Sequence, residues 1–142
     1  MSLAENLAKL RYHEAQMLHY VRAIAEDASE FVALAGRQAP EIDRIVAIQE
    51  IVAAHYRLPV ADITGKGREG RVVVARHCAM LIAHRLTRSS DADLGRAFVR
   101  THGAVAHAIQ SIEGRLETEG GFAREFAELE ELCRRALGVK AA

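Results

Sequence analysis

Proline and cysteine are scarce in this chain, at two residues each in 142, and charge of either sign is not in excess. Neither proline nor glycine occurs between Ala4 and Leu34, so nothing in that stretch breaks a helix. Cys78 and Cys133 have no paired spacing, which excludes a disulfide framework. Each falls on an apolar helical face and reads as a buried thiol in a reducing cytoplasm. The wholly uncharged runs are far shorter than a bilayer span and the start shows no secretory signal, so a cytoplasmic chain with no membrane partner is expected. Half the residues are apolar and 27% are charged, enough for a folded core and too ordered in composition for wholesale disorder.

The zero net charge argues against a nucleic-acid partner, but its distribution argues for one. Between Arg57 and Arg115 there are ten Lys/Arg against five Asp/Glu, while both flanks are acidic. Binding follows the local field, so a basic centre between acidic ends suits a polyanion.

Apolar residues recur at helical spacing along nearly the whole chain, with no convincing strand, low-complexity segment or internal repeat. An all-α domain is expected over 39–142, preceded by a helical extension over 1–38. In that extension Leu7, Leu10, Met17, Val21, Ile24, Ala28, Phe31 and Ala35 follow a seven-residue repeat that Glu14 interrupts. Two readings stand: a helix laid across the domain, or one that pairs two copies into a homodimer. Gly36 to Pro40 closes it. Glu41 to Tyr56 reads as a second helix with Ile42, Ile45, Val46, Val52 and Tyr56 inward. Pro59 opens a short connection in which Asp62 caps one helical turn. Gly65 to Arg71 (GKGREGR) reads as a flexible loop carrying Lys66, Arg68 and Arg71, because three glycines in seven residues resist helix. Val72 to Leu86 is apolar enough to be the buried central helix, and by length helix outweighs strand for Val72 to Val74. Phe122, Phe126, Leu129, Cys133 and Leu137 line a closing helix after Gly120-Gly121.

The stretch Asp91 to Leu116 has the outline of a helix-turn-helix. Ser89 and Ser90 can cap a first helix with Leu94, Ala97 and Phe98 inward. Val99, Arg100 and Thr101 make the turn, with Thr101 placed to cap a second helix. There Val105, Ala108, Ile109, Ile112 and Leu116 form the inner face. Arg100, Thr101, His102, Gly103 and Ala104 stand at the head of that helix, where a groove-reading helix meets base edges.

The segment AFVRTHGAVAHA, Ala97 to Ala108, resembles the DNA-reading motif in the C-terminal domain of the bacterial replication initiator DnaA. That family shows Phe-Gly-Gly-Arg-Asp-His-Thr-Thr-Val-x-His-Ala. Phe98, Arg100, His102, Val105, His107 and Ala108 match it. Val99 stands for the two glycines, Thr101 for the Asp, and Gly103-Ala104 for the two threonines. A second block, Val52 to Thr87, agrees in order, with Arg76-His77 at the family's Arg-Gln pair and Ala79-Met80 behind it. The likeness covers about Ile42 to Leu137. It implies a Trp-repressor-like helix-turn-helix that binds double-stranded DNA in control of replication initiation or transcription. It also implies that the basic loop meets phosphates or the minor groove, that Arg76 clamps the backbone with His77 beside it, and that the initiator's ATP-hydrolysing motor is absent. Loss of two side chains at Gly103 and Ala104, each good base contact contributing about 1–3 kcal/mol, predicts a relaxed or altered target.

Other chemistries find little support. GKGREGR has neither the order nor the Ser/Thr of a phosphate-cradling P-loop, so no nucleotide is expected. His102 and His107 are five apart and His13 and His19 six apart, neither an i, i+4 pair, and His55, His77 and His84 lack partners at ligand spacing, so no metal or cofactor is expected. His107 reads as packed against backbone. No nucleophile and base stand at catalytic spacing, and the chain is not expected to be an enzyme. A competing reading keeps the fold but not DNA reading, leaving a protein-interaction module.

Overall fold

The computed structural model describes residues 2–35 and 41–139. It is all helical there: α1 (Leu3–Ala35), α2 (Glu41–His55), α3 (Val60–Thr64), α4 (Gly70–Leu86), α5 (Asp91–Phe98), α6 (His102–Thr118) and α7 (Gly120–Leu137). Segment 36–40, where the end of the first helix and the 38/39 boundary are expected, lies outside the described residues. So do the side chains of Ile24, Ala28, Phe31 and Ala35.

The uninterrupted apolar run seen in the sequence becomes α4, which packs against α2, α3, α5, α6 and α7. Ala75, Cys78, Ala79, Leu81, Ile82 and Ala83 are fully buried, and α4 is helical through Val72 to Val74. Ile45, Ile48, Ile51 and Val52 of α2, Val105, Ala108 and Ile112 of α6, and Phe126, Leu129 and Cys133 of α7 close the core around it. Both thiols are buried and unpaired, and burial pushes Cys78 up to about 11 and Cys133 up to about 12. The Tyr56 hydroxyl, its own pKa raised by burial, meets the Cys78 sulfur at 3.6 Å.

Three expectations need correction. Ile42 and Val46 face outward, 53% and 40% exposed, because the buried stripe of α2 runs through Ile45, Ile48 and Val52. Gly70 and Arg71 belong to the first turn of α4, so the loop ends at Glu69; glycine is tolerated where a helix has only begun. Asp62 lies inside α3, and Pro59 precedes its first turn instead.

The pair α5–α6 forms as its capping residues require. The Ser90 hydroxyl accepts from the Asp93 amide at 3.1 Å while the Asp93 carboxylate accepts from the Ser90 amide at 3.2 Å, a reciprocal capping box. Hydrogen bonding from the Ser90 hydroxyl first, then from the Ser90 amide, holds the Asp93 carboxyl below its usual range. Gln49, buried in α2, donates to the Ala97 carbonyl at 3.0 Å and ties the end of α5 to the core. α5 ends at Val99, whose φ of 55° and ψ of 49° are left-handed, and the Arg100 amide turns back to the Gly95 carbonyl at 2.8 Å. A β-branched residue in that region is strained, and Val99 is 65% exposed, with little packing to offset it. Val99→Gly is therefore expected to raise the unfolding free energy by about 1 kcal/mol, after the greater backbone freedom glycine has when unfolded. A urea midpoint that falls in the variant would contradict the strain.

Candidate nucleic-acid interface

Thr101 caps α6, its hydroxyl accepting from the Ala104 amide at 3.1 Å. Val105, Ala108, Ile109 and Ile112 turn into the core, which leaves Thr101, His102, Gly103 and Ala104 exposed at the head of the helix. The same exposed face continues through His107, Gln110, Ser111 and Gly114. His107 is thus not packed as expected. The spacing alone places it outside, since it stands opposite Val105, Ala108 and Ile112 on the helical wheel.

The loop between α3 and α4, residues 65–69, lies beside this head. A direct bond shows it: the Arg100 guanidinium donates to the Gly65 carbonyl and, at 2.9 Å, to the Val99 carbonyl. Gly65 allows this path, because a Cβ there would meet the Ala61 carbonyl oxygen at 2.9 Å. The loop's other anchor is Arg76, in the second turn of α4. Its Nε donates to the Ile63 carbonyl at 3.0 Å, Nη2 to Asp62 at 2.8 Å and Nη1 to Gly67 at 3.2 Å. A five-residue helix such as α3 leaves its last carbonyls without intrahelical partners, and this guanidinium supplies them.

The resemblance implies that Arg76 clamps a DNA phosphate. It is 4% exposed, with its donors already on loop carbonyls, so its observed role is to hold the loop. Burial, then the Arg100 charge, lowers its pKa, with Asp62 opposing. Arg100 too is half-buried and engaged with carbonyls rather than standing free at the surface. Arg71 is exposed, and its guanidinium donates to the Arg57 carbonyl at the end of α2 at 3.5 Å. His77 is half-buried, and burial first, then Arg76, His107 and Arg100, lowers its pKa. At neutral pH it is therefore uncharged and adds no cation to this face.

Lys66 and Arg68 are exposed on the anchored loop. Neither they nor Arg71, Arg76 and Arg100 make an ion pair among the described residues. Several other arginines are matched, Arg57 with Glu14, Arg85 with Glu130, Arg96 with Asp93, Arg115 with Glu119, and Arg134 and Arg135 with Glu131, whereas Arg88 and Arg124 likewise have no ion pair among the described residues. Five cations without an ion pair, Lys66, Arg68, Arg71, Arg76 and Arg100, thus stand on or around the loop that meets the head of α6. Among the described residues no group of three or more His, Cys, Asp or Glu is placed to hold a metal, and no helix is long and apolar enough to cross a membrane.

A short capped helix, a tight left-handed turn and a second helix with its head bare define a helix-turn-helix protein. Comparison with known proteins narrows the class. Residues 45–112 match the family described as the bacterial DnaA protein helix-turn-helix. Similar proteins are named chromosomal replication initiator protein DnaA. That of Xanthobacter autotrophicus is 35% identical over 98 residues, 68% of this chain and 19% of its own length. That of Enterococcus faecalis is 34% identical over 89 residues, 62% of this chain and 20% of its own length. That of Laribacter hongkongensis is 30% identical over 112 residues, 78% of this chain and 23% of its own length. The chain thus spans about a fifth of the length of the curated relatives it matches.

Proposed function

We propose that this chain binds double-stranded DNA and acts in the control of replication initiation, as the names of its relatives suggest. The head of α6 enters the major groove, with Thr101, His102, Gly103 and Ala104 toward the bases. Lys66 and Arg68 meet phosphates alongside. The observation that carries the reading is the Arg100 bond to the Gly65 carbonyl, which fixes two unneutralised cations beside an exposed helix head. Gly103 and Ala104 bring no hydroxyl to the bases, so the target is a relaxed or altered version of the initiator's site. Neither nucleotide nor metal enters this reading.

A second reading, a protein-interaction module without DNA binding, draws on the exposed leucines of α1. Titration of labelled duplexes at low and moderate salt separates the two. The DNA reading predicts binding that falls steeply with salt as phosphates release counterions. Arg68→Ala then weakens binding on every sequence and lowers the salt slope by about 1, while His102→Ala changes the preference among sequences. No binding at low salt would overturn the DNA reading and favour the module.

A further inference from the structure

We propose that the first turns of α1 pair with the same turns of a second copy, antiparallel, to form a two-fold symmetric dimer. The stripe along α1 is one line with two fates. Met17 and Val21 are partly buried where α1 lies on α2 and α7. Arg57, just beyond α2, reaches Glu14 at 3.4 Å, and ahead of Glu14 every residue from Ser2 to His13 is exposed. Leu3, Leu7 and Leu10 continue the stripe onto this overhang at 76%, 45% and 51% exposure. At 1.5 Å per residue the overhang is about 16 Å long, enough for two helical turns of contact.

The charges select the occupant and its direction. Glu5 lies on one side of Leu7, and Lys9 and Arg11 on the other. A parallel copy would set like charges level. An antiparallel copy centred near Leu7 sets Leu3 by the other copy's Leu10, and Glu5 by its Lys9, each contact occurring twice. An apolar stripe flanked by charges that complement their own reversed order fits a second copy of this chain. The area is small, so the pairing is reversible and concentration-dependent. If the DNA reading holds, the dimer presents two α6 heads and gains affinity on paired half-sites.

Sedimentation of the full chain without DNA tests the pairing independently of that reading. Wild type is expected to shift from monomer to dimer with rising concentration. Leu7→Glu, an exposed position that folding tolerates, is expected to weaken the dimer by roughly tenfold or more, since it acts twice at the symmetry axis. Glu5→Lys alone weakens it, and adding Lys9→Glu restores it, because the exchanged charges still match across an antiparallel pair. Circular dichroism confirms that each variant keeps its helix content. A wild type that stays monomeric up to millimolar concentration, or a dimer indifferent to Leu7→Glu, would overturn the proposal.

Discussion

Gly95→Ala is expected to unfold in urea with a stability about 3 kcal/mol below that of the parent chain. The direction is informative, because in an exposed helix the same change stabilises by about 1 kcal/mol. Here a Cβ would stand 2.5 Å from the Arg100 carbonyl oxygen, and 3.5 Å from both the His102 amide nitrogen and the Thr101 carbonyl carbon. These are backbone atoms of the turn, which no rotamer change can move aside. To admit the methyl group α5 must shift away from the head of α6, and the Arg100 amide then loses the Gly95 carbonyl. A variant more stable than its parent would mean that the two helices are not so closely apposed.

Arg76→Ala is expected to cost about 3 kcal/mol, since it removes three charge-assisted bonds and leaves the Asp62, Ile63 and Gly67 carbonyls without their donors. Arg76→Lys recovers little, because an ammonium cannot span three carbonyls arranged around a planar fork. On the DNA reading, affinity falls as well, as Lys66 and Arg68 lose their fixed offset from α6. Arg68→Ala supplies the contrast: its side chain is exposed and makes no ion pair among the described residues, so stability is unchanged while affinity drops. Thermal unfolding of the three variants, read beside duplex titrations, separates anchoring from phosphate contact. An Arg76→Ala protein as stable as wild type but weaker on DNA would restore the phosphate-clamp role.

The α5–turn–α6 unit was legible because it is local: Ser90 caps α5, Thr101 caps α6, and Val105, Ala108, Ile109 and Ile112 mark the inner face. The burial of α4 was legible from its unbroken apolar run. Ile42 and Val46 misled because α2 has apolar residues on more than one side, and only the position of α4 decides which side is covered. Gly70 misled because glycine density signals a loop, whereas a helix can begin on glycine when its first residues need few partners. Arg76 is the instructive case. The resemblance made it a phosphate contact, yet its partners are backbone carbonyls 9 to 14 residues earlier, which no side-chain pattern announces. The resemblance to the initiator named residues that the fold brings into one neighbourhood, without separating those that hold the loop from those left facing outward.

Backbone amide NMR of the full chain, titrated with duplex DNA at low salt, tests most directly the claim that the loop and the head of α6 form one binding face. Shifts are expected to concentrate at Lys66 to Glu69 and Arg100 to His107, moving together over a single isotherm, while α7 from Phe122 to Leu137 stays still. Shifts at only one of the two segments, or centred on α2 and α7, would contradict it.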